Sequence, residues 1–383
     1  KVLLIPEGNR REVCSTDYKH FYNKGSFGYT ISKDSSKLLI YSALPNSFND
    51  SEKIEISIFD EQFRQISQNS YILKYDENIG EDRYYYVDNQ GNAYILSLVK
   101  EENEILFSRE TEKNVYELMA FTERGTKTRV YTFSVKNHYI SDFYVITDLN
   151  GDIVLTGFYS EKNYTGVAGT VYYKIRQNTD SINIVRIKPF STDFLARFMK
   201  KRKAEKGNEL YDFYINQLVI NSKNEILMVA EQQFLSHFSY PSNRKSLVYN
   251  YNSLIVAKFD SLGRQMWINK VSKQQEDRDN SGDFSSYALM EHGDSLLFFF
   301  NDTPNNLFNK HPYKVFNFER YKESLLVMVI IASDGSQNKV PVLNIRSDEL
   351  FPRPKLHNLI SRKKMVMIAQ DRRRYTLLTL SLF

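Results

Sequence analysis

The sequence has a single cysteine, Cys14, among its 383 residues. One cysteine excludes an intrachain disulfide, and it equally excludes a zinc site or a redox pair built from thiolates. We interpret Cys14 as a small buried apolar residue, with a reactive thiol as the alternative.

Long apolar runs and an excess of one charge are also missing. The most apolar run, Leu325–Ala332, has the length of a strand and is far shorter than the ~20 residues of a membrane-spanning helix. The chain has 51 Lys and Arg against 46 Asp and Glu, a net charge of +5. This near balance argues against a nucleic-acid partner.

Known catalytic and cofactor motifs are absent from the sequence. There is no HExxH, no Walker or GxGxxG loop and no nucleophile elbow, and the six histidines are scattered along the chain. The segment Asp277–Asp283 has oxygen-bearing residues at alternate positions, as calcium loops do, but Ala288 occupies the position where such a loop needs a bidentate Glu. We therefore predict a chain that is not an enzyme and that needs no metal or cofactor.

Aromatic residues are abundant, with 27 Tyr and 26 Phe beside one Trp. Tyr and Phe favour pleated, half-buried surfaces, so this composition indicates strands. A chain of this length exceeds one compact core and is expected either to split into domains or to repeat a small unit.

A short pattern recurs along the chain: a strand, a polar turn, and then a very apolar strand. The turns are rich in Gly, Asn and Asp, which tolerate the left-handed backbone of tight hairpins. The six copies span Tyr29–Ser42, Tyr84–Leu98, Phe143–Phe158, Tyr214–Ala230, Tyr287–Phe300 and His357–Gln370.

A second hairpin follows each of the first five copies, so each unit has four antiparallel strands, which is one propeller blade. The sixth unit has only one further strand, Tyr375–Phe383, and we predict that Val2–Ile5 closes its sheet. The prediction is an all-β chain forming one β-propeller domain over residues 1–383, with six blades and seven as the alternative count. A β-sandwich or two stacked barrels would also suit regularly spaced short strands.

In such blades the two hairpin turns lie on one face, and the longer connections lie on the other. The long connections include residues 190–209, 234–250, 274–284 and 301–322, which makes that face the candidate for recognition. Tyr and Arg dominate protein–protein hot spots, although aromatics in loops also serve simply to pack them. The predicted partner-binding residues are Phe238, Tyr240, Arg244, Tyr249, Tyr251, Phe308, His311, Tyr313 and Arg320.

One helix is predicted, from Asp193 to Lys206, with Thr192 or Asp193 as its cap and Gly207 as its end. A solvated helix face is the ordinary explanation of its charges, and an anionic partner is the sharper one. Its basic residues include Arg197, Lys200, Lys201, Arg202 and Lys203.

The sequence resembles a family of uncharacterised exported proteins of Bacteroidota. The match is strongest in GSFGYTISKDSSKLLIYSALP, DIVLTGFYSEKNYTGVAGTVYYKI, KKRKAEKGNELYDF and YNSLIVAKFDSLGRQMWINKV, and continues in SSYAL, FFNDTPNNLF and FPRPKLHNLIS. The resemblance implies export to the cell envelope, in the periplasm or at the outer membrane, and a propeller-like fold. It implies no activity.

Three functions remain open at this point. The first is a non-catalytic scaffold or accessory subunit of an outer-membrane assembly that binds another envelope protein. The second is a glycan- or peptide-processing enzyme with paired carboxylates at a central funnel. The third is a passive glycan-binding module.

Overall fold

A computed structural model describes residues 26–44, 53–72, 83–100, 114–177, 179, 181–239, 245–278, 281–318, 324–345, 349–371 and 374–382. These residues form mainly antiparallel strands, so the prediction of an all-β chain is confirmed. The chain divides into two compact units, Lys1–Lys136 and Asn137–Phe383, which we describe separately. The segment Val2–Ile5, predicted to close the last sheet, lies outside the described residues.

The first unit contains two four-stranded sheets, each in simple sequential order. The first sheet consists of β1 (Ser26–Ile31), β2 (Lys37–Leu44), β3 (Lys53–Asp60) and β4 (Gln65–Ile72). The second consists of β5 (Arg83–Val87), β6 (Ala93–Lys100), β7 (Asn114–Thr122) and β8 (Lys127–Phe133). A shared core that includes Leu39, Ile56, Ile95 and Phe121 belongs to both sheets.

The second unit opens with a sheet and a small insertion. Its first sheet has β9 (Tyr139–Thr147), β10 (Ile153–Ser160), β12 (Gly169–Ile175) and β13 (Ile182–Pro189). β11 (Gly166–Val167) and β14 (Leu210–Tyr211) pair with each other, and between β13 and β14 lie the helices α1 (Thr192–Leu195) and α2 (Lys201–Glu205).

Three more sheets follow in the second unit. The first has β15 (Phe213–Ile220), β16 (Ile226–Ser239), β17 (Lys245–Phe259) and β18 (Gln265–Val271), with β19 (Gln275–Arg278) added to β17. The next has β20 (Ala288–His292), β21 (Ser295–Asp302), β22 (Leu325–Ile331) and β23 (Gln337–Asn344), with a 3₁₀ turn at Pro304–Asn306. The last has three described strands, β24 (Phe351–Ser361), β25 (Lys364–Asp371) and β26 (Arg374–Ser381).

One hairpin turn recurs in both units. An Asp or Asn side chain accepts hydrogen bonds from the backbone N–H groups two and four residues later in the chain. The residue three positions after the Asp or Asn has a positive φ. This geometry is a type I turn followed by a bulge, as local Asx chemistry favours. The residues that begin it are Asp60, Asp88, Asp148, Asn221 and Asp260. The turns predicted from Asp, Asn and Gly at these positions are confirmed.

Neighbouring sheets in the second unit pack face to face, with equivalent turns side by side. The side chain of Asn224 accepts from the N–H of Leu149 at 2.9 Å, and Lys223 pairs with Asp294 at 2.7 Å. The central strands β10 and β12 are buried along their whole length, whereas β13 is largely exposed. Inner strands are therefore covered on both faces, and the last strand of this sheet meets solvent.

Candidate functional site

The connections of the second unit divide between its two ends. The recurring hairpin turns lie at one end, which we call the turn end. The strand ends that lead into the connections from β10 to β12, β13 to β15, β16 to β17, β18 to β20 and β21 to β22 lie at the opposite end, which we call the loop end, because consecutive antiparallel strands reverse direction. Within this unit the long connections therefore share one end, as the sequence predicts.

The largest feature of the loop end is a strand hairpin where the sequence predicts a loop. Residues 234–250 were expected to be a connection, but β16 and β17 continue their register from Phe234↔Asn250 to Ser239↔Lys245. Aromatic and apolar residues alternate with Ser and Asn in this segment, which suits a pleated ribbon. β19 then adds a third strand, from Tyr251↔Gln275 to Val248↔Arg278. We call this three-stranded extension the apical sheet.

Two of the predicted contact residues on the apical sheet are stacked against cations. The guanidinium of Arg278 lies 4.4 Å from the ring centre of Phe238, which is 40% exposed. The ammonium of Lys355 lies 4.6 Å from the ring centre of Tyr251 and donates to the carbonyl of Ser281 at 2.9 Å. Cations over aromatic faces are attracted by the ring quadrupole. Both rings are thus packed in part, and Phe238 keeps 40% of its surface exposed.

The connection between β21 and β22 presents a second group of aromatics. Phe308 is 87% exposed and Phe316 is 52% exposed. The rings of His311 and Tyr313 meet edge to face at 4.5 Å, and His311 Nδ1 accepts from the N–H of Lys314 at 3.1 Å. This connection is held by Asn306, which donates to the carbonyl of Phe316 at 2.8 Å. The described part of this connection therefore exposes Phe308 and His311, with Tyr313 half-buried beside His311.

Three of the predicted contact residues, Tyr240, Arg244 and Arg320, lie outside the described residues. Tyr249 is half-buried on the apical sheet, where it pairs with Leu235 on one side and Asp277 on the other. The structure brings Phe238, Tyr249 and Tyr251 together on one sheet and places Phe308, His311 and Tyr313 on a separate connection of the same end.

The predicted single helix is wrong in detail, because two short helices occupy the segment. Ser191, and not Thr192 or Asp193, caps the first helix, since its hydroxyl accepts from the N–H of Phe194 at 3.2 Å. The carbonyl of Arg197, which would continue the helix by bonding four residues ahead, instead accepts from Lys270 Nζ at 2.7 Å. The second helix ends before Gly207, which has a φ of 70°, as predicted.

A line of aromatic rings packs this insertion onto the sheets. Phe158, Phe190, Phe194, Phe198 and Phe213 contact one another in turn with edge-to-face geometry at 4.9 to 6.3 Å between ring centres. The basic side chains stay outside this packing. Those at the surface are Arg197, Lys200, Lys201, Arg202 and Lys203.

Lys270 anchors the insertion to the neighbouring connection. Besides the carbonyl of Arg197, its ammonium donates to the carbonyl of Pro312 at 3.3 Å and lies 4.8 Å from the ring centre of Phe198. Burial lowers the pKa of Lys270 to about 8. Lys270 therefore ties two loop-end segments together. Nothing in the sequence distinguishes it from the other lysines of the strands.

A buried polar network lies beneath the apical sheet. Lys273 Nζ pairs with Glu231 Oε1 at 2.5 Å, both side chains are inaccessible to solvent, and the ammonium also donates to the carbonyl of Tyr251 at 2.9 Å. Glu231 Oε2 accepts from the hydroxyl of Ser286 at 2.7 Å and from the side-chain amide of Gln233 at 2.8 Å. Burial lowers the pKa of Lys273, against the attraction of Glu231 and Asp302. Both charged groups therefore have partners inside the protein.

In the acidic segment 277–283, the two described carboxylates bind groups of the protein. Asp277 accepts from the hydroxyl of Ser285 at 2.6 Å and the N–H of Phe284 at 3.2 Å, whereas Asp283 pairs with Arg353 at 3.1 Å. Asp279 and Asn280 lie outside the described residues. In the described part of the chain, no three His, Cys, Asp or Glu residues gather in a way that could hold a metal.

Two buried tyrosines of this unit have raised pKa values. Burial, with help from Glu161 and Glu209, raises the pKa of Tyr159 to about 12, and burial raises the pKa of Tyr173 to about 12. Both hydroxyls therefore keep their protons at neutral pH. What the loop end offers chemically is aromatic surface, exposed cations and hydrogen-bond donors.

No helix in the described ranges is both long and apolar enough to cross a membrane.

Comparison with known proteins gives distant structural likenesses only. No protein-family model and no curated protein matches the sequence. A protein of unknown function from Dyadobacter fermentans is 7% identical, with a TM-score of 0.35, over 96% of this chain and 97% of that one. The WD40 domain of SCAP from fission yeast is 8% identical, with a TM-score of 0.33, over 96% and 97%. A eukaryotic initiation factor is 10% identical, with a TM-score of 0.36, over 93% and 75%. At these scores the likenesses support no conclusion about function.

Proposed function

We propose that this chain is a non-catalytic β-propeller of the cell envelope that acts as an interaction scaffold or accessory subunit of an outer-membrane assembly. In this proposal the sheets are blades, six in number with seven as the alternative. Sequential four-stranded antiparallel sheets that pack side by side support the blade assignment. The envelope location rests on the resemblance of the sequence to exported proteins.

The observation that carries the binding role is the exposed aromatic surface at the loop end. Phe308 is 87% exposed and the His311–Tyr313 pair follows it in the same connection, while Phe238, on the apical sheet, is 40% exposed. Exposed aromatics on a rigid scaffold are the usual anchors of protein–protein contacts. The basic side chains of the helical insertion add a positive surface that suits an acidic partner.

A pull-down from envelope extracts tests this function. The triple variant Tyr249→Ala, Phe308→Ala and Tyr313→Ala should lose the partner while the melting temperature stays that of the wild type. The matched control removes exposed apolar side chains at the turn end, Leu149→Ala and Leu262→Ala, which are 60% and 45% exposed. The control should retain the partner. Equal recovery with both variants would contradict binding through the loop end.

A further inference from the structure

Positive charge is concentrated in the helical insertion and in the strand that leads into it. Residues 186–206 contain eight Lys and Arg against two Asp and Glu, a net charge of +6, and all eight cations are exposed. The whole chain has a net charge of +5, so the remaining residues together are nearly neutral. The excess charge of the protein therefore lies in this one segment.

The cations at the centre of this segment have no carboxylate partner among the described residues. An exposed lysine elsewhere in the unit, Lys223, pairs with Asp294 at 2.7 Å, whereas no described Asp or Glu pairs with the side chains of residues 200–203, KKRK. Glu209, at the end of the insertion, is buried and accepts from the hydroxyl of Ser160 at 2.5 Å. The central charges are therefore available to a partner.

The backbone that carries these cations is held against the sheets. Lys162 Nζ donates to the carbonyl of Gly207 at 2.9 Å, and β14 then pairs with β11. In α2 only Ala204 is buried. Residues 201–203 follow one another in this helix, so they lie about 100° apart around its axis. Their charges therefore spread over a convex surface and do not converge on one small anion.

A neighbouring connection adds to the positive charge. Lys270 Nζ binds the carbonyl of Arg197 in the insertion and the carbonyl of Pro312 in residues 303–318, so the two segments lie side by side. The second segment has two exposed lysines and contains no Asp or Glu. We call residues 186–206 and 303–318 together the basic surface.

We propose that the basic surface binds the anionic headgroups of a lipid bilayer. Seven of its ten cations are Lys, a hydrated point charge that suits a diffuse negative surface, whereas the forked guanidinium of Arg suits the fixed carboxylates of a protein. Clusters of four to eight Lys and Arg are attracted to anionic bilayers, and each cation adds to the attraction. Phe308, 87% exposed on the same surface, is of the type that enters the headgroup region beside such cations. The apolar residues Phe194 and Leu195 of the insertion are buried, so the contact is mainly electrostatic.

This lipid contact goes beyond the proposed protein binding and does not require it. The variant with Tyr249→Ala, Phe308→Ala and Tyr313→Ala keeps every cation of the basic surface. It should therefore still bind anionic vesicles when it no longer recovers the protein partner. The vesicle experiment uses the purified chain alone, so each proposal can fail without the other.

Co-sedimentation with vesicles tests the lipid contact. The wild type should bind vesicles of phosphatidylethanolamine and phosphatidylglycerol at low salt, and it should not bind vesicles of phosphatidylcholine, which have no net charge. Binding should fall steeply between about 50 mM and about 300 mM salt, because the Debye length shortens. Equal binding to both kinds of vesicle would overturn the proposal.

A triple variant tests the cations of the insertion. Lys201→Gln, Arg202→Gln and Lys203→Gln together should weaken binding to the anionic vesicles by at least about 30-fold. The three side chains are exposed, so the melting temperature should stay that of the wild type.

The matched control removes the same charge from another place in the unit. Arg362→Gln, Lys363→Gln and Lys364→Gln together take one Arg and two Lys from an exposed run at the turn between β24 and β25. This variant should bind the anionic vesicles like the wild type. Equal losses in the two triple variants would show that net charge alone matters, and would overturn the proposal.

A fluorescent label tests which segment touches the bilayer. In a Cys14→Ala background, a fluorophore on Lys203→Cys should be quenched by nitroxide-labelled headgroups, and the same fluorophore on Lys363→Cys should not. Equal quenching of the two labels contradicts contact through the basic surface. A wild type that does not bind anionic vesicles at low salt overturns the proposal and leaves the basic surface to an acidic protein.

Discussion

Removing either partner of the buried Lys273–Glu231 pair should destabilise the second unit strongly. Both side chains are inaccessible, and their charged atoms lie 2.5 Å apart. Glu231→Gln leaves a buried ammonium, and Lys273→Met leaves a buried carboxylate, so each variant should lose about 3 to 5 kcal/mol of unfolding free energy. The double variant leaves neither charge and should lose at least about 1 kcal/mol less than the sum of the single losses.

The pH dependence of the two single variants should have opposite signs. Burial already lowers the pKa of Lys273, and removal of Glu231 lowers it further. Folded Glu231→Gln protein therefore sheds a proton that the unfolded chain keeps up to about pH 10, so its stability relative to the wild type rises with pH. In Lys273→Met the buried carboxyl of Glu231 has lost its cation, and burial favours the neutral form, so the relative stability of that variant should fall as pH rises above about 4.

Urea unfolding followed by tryptophan fluorescence measures these losses. The chain has one tryptophan, Trp267, which lies in β18 of the same unit and donates from Nε1 to the carbonyl of Ser333 at 3.0 Å. Its emission therefore reports on the unit that contains the pair. Losses below about 1 kcal/mol in both single variants, or equal pH slopes, would refute the reasoning.

Two further predictions concern single residues of the same unit. Burial lowers the pKa of Lys270 to about 8, so the folded state releases this proton at a lower pH than the unfolded chain does, and wild-type stability rises with pH between about 8 and about 10. In urea titrations, the stability difference between wild type and Lys270→Met should change by about 3 kcal/mol across that window. A constant difference would contradict the burial argument. Gly263→Ala places a Cβ 2.3 Å from the buried ring of Tyr172 at a φ of 74°, whereas Gly207→Ala at a φ of 70° meets nothing within 4 Å. Gly263→Ala should therefore lose at least about 2 kcal/mol more than this matched control, and equal losses would show that the ring yields.

The aromatic candidates were predictable only as a group. Their concentration in two long segments indicated a surface, and Phe308 is indeed highly exposed. Which aromatic residues face solvent depends on distant cations: Lys355 lies 104 residues from the Tyr251 that it covers. No local pattern in the sequence contains that information.

The buried charges could not be identified from the sequence for a similar reason. Lys273 and Glu231 lie at ordinary loop and strand positions of the sequence, where charged side chains are usually exposed. They become a buried pair because the β18–β20 connection folds back over the register shift between β16 and β17 at Glu231.

The hairpins, their order and the antiparallel sheets follow from the sequence alone. An Asp or Asn whose side chain accepts from the N–H groups two and four residues later forms its turn within five residues, and alternating apolar residues form the strands beside that turn. The tertiary structure alone decided how far β16 and β17 extend, where the basic segment breaks into two helices, and which lysines are buried. Those features depend on groups far apart in sequence, such as the ammonium of Lys270 at the carbonyl of Arg197, and such contacts exist only once the sheets have packed.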